Sequence, residues 1–128
     1  MSTPRSGHTP AVEPEEAKVL LGGDALMIDV RDEHEWVAGH APHSIHIPLD
    51  EVSESTPFTT RTRRVIVVSR SGRRAERAVT HLRTAGVDAV VLDGGLRAWV
   101  EAGGELVGDG GRGPHIAMPR RAEGGSPA

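Results

Sequence analysis

The chain contains no cysteine, only three aromatic residues and no long apolar run. The absence of cysteine excludes disulfides, thiolate metal sites and thiol nucleophiles. Two tryptophans and one phenylalanine give no stacking platform for nucleic acid, so we expect no nucleic-acid partner. No stretch approaches the roughly eighteen apolar residues of a membrane helix, and residues 1–10 lack the apolar segment of a signal peptide. We therefore expect a cytoplasmic protein with no membrane partner.

Positive charge comes almost entirely from arginine, which occurs fourteen times against a single lysine. The formal net charge is −3, yet seven arginines fall between Arg61 and Arg77. A weakly acidic chain has no general attraction to nucleic acid or anionic membranes, whereas a local arginine cluster offers planar donors for anions. The sequence therefore points to a localised anion site.

A length of 128 residues suits one domain with one core. Residues 1–10 are polar, and residues 105–128 are rich in glycine and contain little to bury. We predict a folded domain over residues 11–104, between a flexible N-terminus and a flexible tail at 105–128.

Apolar runs alternate with helical patterns along the predicted domain. Continuous apolarity indicates strands that are covered on both faces, as in parallel sheets. The predicted strands are Leu26–Val30, Val65–Val68 and Ala89–Leu92, with weaker candidates at Ser44–Ile47 and Ala11–Val12. The predicted helices are Glu13–Leu21, Asp32–Ala38, Arg73–Ala85 and Leu96–Ala102. This alternation predicts an α/β fold of three layers, with a mostly parallel sheet of four to five strands and helices on both faces.

The predicted strand Val65–Val68 leads directly into the segment Ser69–Arg74 and then into a helix. Ligands of parallel sheets bind beyond the carboxyl ends of the strands. Small residues let the backbone N–H groups converge, and the helix N-terminus adds about half a positive charge. We therefore predict an anion-binding loop made by Arg70, Ser71, Gly72, Arg73 and Arg74. From spacing alone, the alternative is an arginine-bearing turn without a ligand.

Further short motifs follow one another in a fixed order. They are Asp29-Val30-Arg31, Glu35-Trp36, Gly39-His40-Ala41-Pro42, Ile45-His46-Ile47-Pro48, Ser69-Arg70-Ser71-Gly72-Arg73-Arg74 and Asp93-Gly94-Gly95-Leu96-Arg97-Ala98-Trp99. Over about Ala11 to Gly104, this series resembles the single-domain rhodanese family, whose loop commonly reads Cys-Arg-Ser-Gly-x-Arg. The resemblance implies a rhodanese-like fold and sulfurtransferase chemistry that needs no cofactor.

Ser69 stands where the rhodanese family has its cysteine. By resemblance, the family's thiolate attacks the outer sulfur of thiosulfate or a similar donor and becomes a persulfide. A serine hydroxyl stays protonated without a dedicated base, cannot carry a persulfide, and has no histidine within six residues here. We expect Ser69 to be inert and the domain to be catalytically silent. We expect the loop to bind thiosulfate, sulfate, phosphate or an acidic group of a protein partner.

Two origins of this serine stay open on the residues alone. Either the gene encodes it and the domain is a non-catalytic family member, or it is a deliberate cysteine-to-serine change in an active sulfurtransferase.

Asp29, Arg31 and His40 are the predicted supporting residues of the site. Asp29 and Arg31 end a strand beside the loop, where they can form an ion pair that orders neighbouring segments; a direct substrate role is the alternative. The resemblance gives His40 a structural role near the strand ends. We predict no metal site, because histidines at every third position of a loop do not share one face.

Two further groups of residues have simpler expected roles. Trp36 and Trp99 are expected to anchor the core. The arginines at 61, 63 and 64 either form a solvated connection or steer anions toward the loop.

Overall fold

The computed structural model describes residues 9–55, 63–108 and 113–119, which form a five-stranded sheet and five α-helices. The strands are β1 (Ala11–Val12), β2 (Leu26–Asp29), β3 (Ile45–His46), β4 (Val65–Val68) and β5 (Ala89–Leu92). The helices are α1 (Pro14–Gly22), α2 (Glu33–Ala38), α3 (Val52–Ser55), α4 (Arg73–Thr84) and α5 (Gly95–Glu101). A 3₁₀ turn, Leu49–Glu51, precedes α3.

All strand pairs are parallel, in the order β1-β5-β4-β2-β3. The middle strand β4 is buried at every residue and pairs along its whole length with β2. Its continuous apolarity follows from this position, because both of its faces are covered. The loop after β4 therefore lies at the centre of the carboxyl edge of the sheet.

Two hydrophobic cores cover the two faces of the sheet, as predicted for a three-layer domain. On one face, α4 packs on alternate residues of β4 and β5, with Ala75, Ala78, Val79 and Leu82 buried. On the other face, α1 and α5 contribute Ala17, Leu96 and Trp99. The predicted α/β class and helix placement are confirmed. The sequence reading missed α3 and the 3₁₀ turn.

The fold continues past the predicted domain boundary at residue 104. Val107 and His40 exchange backbone hydrogen bonds of 2.8 Å, and the His115 amide donates to Ala38 O at 3.0 Å. Leu106 and Ile116 pack against the core on the α1 and α5 face. The prediction of a flexible tail from residue 105 therefore does not hold for 105–108 and 113–119, which we call the C-terminal strap.

The strap can lie close to α2 because Gly39 has no side chain. A Cβ at Gly39 would overlap the backbone of His115. The predicted flexible segments 1–8 and 120–128 lie outside the described residues. Among the described residues, no helix is long and apolar enough to span a membrane.

Candidate functional site

Ser69 lies at the centre of the turn between β4 and α4. The residue is buried, with 1% of its surface exposed. Its Oγ accepts hydrogen bonds from the backbone amides of Gly72 and Ala75, each at 3.1 Å. Gly72, the N-cap of α4, has φ of +110°, a conformation that favours glycine. The turn therefore curls around the hydroxyl of Ser69.

The turn is held from outside by the start of α5. The amides of Leu96 and Arg97 donate to the carbonyls of Ser69 and Arg70, at 2.8 and 3.3 Å. Gly95 allows this approach, because a Cβ there would overlap both carbonyl groups. Because the carbonyls of Ser69 and Arg70 point toward α5, a ligand would meet the amides of the turn rather than these carbonyls.

Several donors of the turn have no acceptor in the part of the chain that the structure describes. They are the backbone amides of Arg70, Ser71, Arg73 and Arg74 and the buried Nε of Arg70. The first amides of α4 are the groups that a helix leaves without intrahelical partners. Buried donors are nearly always hydrogen-bonded, so the Nε of Arg70 is a candidate donor to a ligand.

The three arginines of the loop differ in their surroundings. Arg73 is exposed and Arg70 is half-buried. Arg74 instead forms a bidentate ion pair with Glu35: Nη1 lies 2.7 Å from Oε1, and Nη2 lies 3.0 Å from Oε2. Burial lowers the pKa of Arg74, but the hydrogen bond and negative charge of Glu35 outweigh it and raise the pKa overall. Arg74 therefore stays charged, and the Glu35 carboxylate occupies the Nη1 and Nη2 edge of its guanidinium.

Glu35 is a residue of the site that the sequence reading did not identify as functional. It is fully buried. Besides binding Arg74, it completes a capping box with Asp32, which accepts from the Glu35 amide at 3.2 Å at the start of α2. The Asp-x-x-Glu spacing is a visible sequence signal for such a cap. Its tertiary partner, 39 residues away, is not visible in that pattern.

Asp29 and Arg31 form a fully buried ion pair beside the loop. Arg31 Nη2 lies 2.8 Å from Asp29 Oδ2, and Arg31 Nε lies 2.9 Å from Asp29 Oδ1. Arg31 Nη2 also donates to Gly39 O at 2.7 Å, which ties β2 to the end of α2. Asp29 is in register with Val68, the residue before Ser69. The geometry of the pair joins neighbouring segments around the loop.

His40 lies just after α2, in a stack of rings formed with Trp36 of α2 and His46 of β3. The ring centroids of Trp36 and His40 are 3.5 Å apart, and those of Trp36 and His46 are 4.9 Å apart. His40 Nδ1 donates to Trp36 O at 2.6 Å, and His46 Nε2 donates to Arg31 O at 2.8 Å. Trp36 is thus a half-buried stacking residue rather than a core anchor, whereas Trp99 is buried as expected.

The remaining sequence expectations concern metals and the arginines before β4. Within 9–55, 63–108 and 113–119, no three His, Asp or Glu side chains are arranged to hold a metal ion. Arg63 donates to Asp24 O, and Arg64 forms an exposed ion pair with Asp88 at 3.2 Å. Arg61 lies outside the described residues. Arg63 and Arg64 lie before β4, at the other end of that strand from the loop.

The chemistry open to Ser69 follows from its neighbours. Among the described residues, no His, Asp or Glu side chain is hydrogen-bonded to its Oγ. A serine without a base keeps its proton and is a weak nucleophile. The hydroxyl can still donate that proton to a bound acceptor while it accepts two amides.

Comparison with known proteins identifies the family of the chain. Residues 13–102 match the family model of the rhodanese-like domain. The thiosulfate sulfurtransferase GlpE of Pseudomonas savastanoi is 27% identical over 89 residues, which cover 69% of this chain and 84% of that protein. An uncharacterized protein of Synechocystis sp. is 31% identical over 94 residues. That match covers 72% of this chain but only 52% of the relative, so the chain spans about half of its length.

A crystal structure gives the same answer for the fold. The rhodanese-related protein of Thermoplasma volcanium superposes with a TM-score of 0.72 at 26% identity, covering 77% of this chain and 97% of that one. The sequence motifs, the sheet order and the family match coincide over the same residues. The chain belongs to the rhodanese-like domain family.

Proposed function

We propose that this domain binds a small oxyanion in the loop Ser69–Arg74 and does not itself transfer sulfur. The observation that carries the proposal is the arrangement around Ser69: two amides bind its Oγ, while four others of the same turn have no acceptor in the described residues. Converging amides at a helix N-terminus are a common anion site. The natural candidates are sulfate, thiosulfate and phosphate.

The charge around the loop supports the binding of an anion. Glu35 neutralises Arg74, and Asp29 neutralises Arg31. The uncompensated charge near the turn therefore comes from Arg70 and Arg73, together with the partial charge of the twelve-residue helix α4. An acidic group of a protein partner could present the same oxygens, since Arg73 and Ser71 are exposed.

The absence of sulfur transfer follows from the oxygen at position 69. Sulfur transfer requires a nucleophile that forms a persulfide, and an alcohol cannot form one. Hydrogen bonds from these two amides would lower the pKa of a thiol at this position. The pKa of an alcohol is so much higher than that of a thiol that the Ser69 hydroxyl stays protonated. A thiosulfate bound here would keep both of its sulfur atoms.

The alternative is a sulfurtransferase in which serine has replaced the working cysteine. Its support is the similarity to a relative named a thiosulfate sulfurtransferase, and the amide environment retained around position 69. In that case the loop would bind thiosulfate as a substrate, and Ser69→Cys would restore the nucleophile.

An assay of sulfur transfer from thiosulfate to cyanide tests both candidates. We expect no turnover by the chain with Ser69, and turnover by that chain would overturn the proposal. Ser69→Cys decides the alternative: turnover, with one added sulfur atom in the protein mass, would identify a sulfurtransferase pocket. The matched control is Ser71→Cys, which places an exposed thiol two residues away in the same loop and should stay inactive.

A further inference from the structure

A cavity lies at the opposite edge of the sheet from the Ser69 loop. Its volume is about 650 Å³, within the range of small-molecule sites. Ala25 and Leu26 line it at the start of β2, and Arg63 lines it just before β4. In a parallel sheet these are the amino ends of the strands, about 13 Å from the carboxyl ends for a four-residue strand. No residue of the Ser69–Arg74 loop lines this cavity.

One side of the cavity is apolar and contains an aromatic ring in a fixed position. Leu21, Leu26 and Met27 line it together with Trp99. The indole Nε1 of Trp99 donates to Glu105 O at 2.9 Å, so the polar atom of the ring is satisfied by the protein. Only 7% of Trp99 and 3% of Met27 is exposed, so the accessible apolar surface of this wall comes mainly from the half-buried Leu21 and Leu26. An apolar ligand group therefore has a preformed surface to pack against.

The charged lining of the cavity is mainly positive. Two cationic side chains, Lys18 and Arg63, line it together with the imidazole of His43, against the single carboxylate of Glu105. Lys18 Nζ donates to Ala102 O at 2.6 Å, and Arg63 Nε donates to Asp24 O. Each bond fixes the position of its side chain and leaves further N–H groups unused. Within the described residues, neither cation forms an ion pair with Glu105, so positive charge is in excess.

His43 adds a strained residue to the same wall. Its φ is +65°, and in the described part of the chain it is the single non-glycine residue with positive φ. A side chain in this conformation costs about 1 to 2 kcal/mol. Its imidazole is exposed and has no hydrogen-bond partner in the described residues. Strain that is kept at a cavity wall is typical of residues with a binding role.

We propose that this cavity binds a small amphipathic carboxylate. The aromatic or branched aliphatic body of the ligand lies against Leu21 and Leu26, beside the indole of Trp99, and its carboxylate lies among Lys18, His43 and Arg63. Charge complementarity selects an anion over a neutral analogue of the same shape. The site is independent of the oxyanion loop, and the two can succeed or fail separately.

Binding can be measured with 4-phenylbutyrate as the probe. In a Trp36→Phe background, Trp99 is the sole tryptophan, and its fluorescence should change saturably at submillimolar to millimolar probe. Amide NMR of the same protein should show shifts at Gly22, Gly23, Gly103 and Gly104. Shifts confined to Arg70–Arg74 would overturn the proposal. So would the absence of a saturable change at 10 mM probe, about ten-fold above the expected range.

Two comparisons test the charge argument. Lys18→Gln and Arg63→Gln should each weaken binding by about ten-fold, as expected for loss of a charged hydrogen bond. Arg77→Gln, an exposed change on α4, should leave it unchanged. The neutral probe 4-phenyl-1-butanol should bind at least about ten-fold more weakly. Equal binding of the alcohol and the carboxylate would show that the cavity recognises only apolar groups and would contradict the proposal. Thermal unfolding of each variant checks that the variant is folded.

Discussion

Ser69 Oγ occupies a position where two amides donate to it and no basic side chain reaches it in the described residues. A thiolate at the same position would be stabilised by the same amides, whereas an alcohol gains only ordinary hydrogen bonds. Under the proposed function, the oxygen atom at this position is the reason that the domain binds an anion without transferring sulfur. The surrounding donors are backbone groups, so they are the same whichever side chain is present.

His43 carries a backbone cost that glycine would remove. His43→Gly should raise the free energy of unfolding by up to about 1 kcal/mol, because relief of positive φ outweighs the greater freedom of glycine in the unfolded chain. Urea denaturation measures the change. His43→Ala is the matched control: it keeps the Cβ that causes the strain and should give no gain. A loss of stability in His43→Gly would show that the imidazole itself stabilises the fold.

Glu35 is expected to stabilise the site through Arg74. Glu35→Gln should lower the free energy of unfolding by about 2 kcal/mol, because it leaves a partly buried guanidinium without its counter-charge. Chemical denaturation gives the value.

Arg64→Gln serves as the comparison for Glu35→Gln, because it removes an exposed ion pair with Asp88. Such pairs contribute less than about 1 kcal/mol. Equal effects of the two substitutions would contradict the importance assigned to the buried pair.

At the scale of the element, β4 and β5 were predictable to the residue, because four consecutive buried apolar residues define each of them. Helix α4 was predictable from its apolar stripe, and it ends within one residue of its expected bound. The four-residue α3 was not, since it contains one apolar residue and no helical period. Short elements of this kind are set by packing, here against α4, rather than by local pattern.

The packing of the C-terminal strap also could not be predicted from the sequence pattern. Its glycines and scattered charges suggested a flexible tail, but a few apolar residues such as Leu106 and Ile116 are enough to dock it on the core. Contacts such as His34 Nε2 to Met118 O at 2.8 Å join residues 84 apart. No local period encodes such a pairing.

The close approach of the strap to α2 gives a direct prediction. Gly39→Ala should lower the free energy of unfolding by about 2 kcal/mol, because the new Cβ would overlap the backbone of His115. The control is Gly22→Ala at the end of α1, where a Cβ meets nothing within 4 Å and stability should stay equal or rise slightly. Thermal unfolding followed by circular dichroism compares the two. Equal stability of both variants would mean that the strap is not docked as described.

At the scale of the whole molecule, the candidate site is part local and part tertiary. The loop Ser69–Arg74 could be predicted because the strand, the turn and the helix that build it are consecutive in the chain. The ion pair between Glu35 and Arg74 and the hydrogen bonds from α5 to the turn carbonyls depend on how separate elements pack. They could not be inferred from spacing, and they decide which arginines are available to a ligand.

The two proposed sites lie at opposite edges of the sheet, the oxyanion loop at the carboxyl edge and the apolar cavity at the amino edge. A single set of amide spectra can therefore tell them apart, because their residues do not overlap. Arg77→Gln is a matched control for both, since it removes an exposed arginine from α4 without touching either set of residues.

The most direct test of the central claim is an amide NMR titration of the unaltered chain with sodium sulfate, compared with sodium chloride at equal ionic strength. We expect saturable shifts of the Arg70, Ser71, Arg73 and Arg74 amides with sulfate and not with chloride, weakened in Arg70→Gln but not in Arg77→Gln. If these amides do not move at millimolar sulfate, or move equally with chloride, the loop is not an oxyanion site.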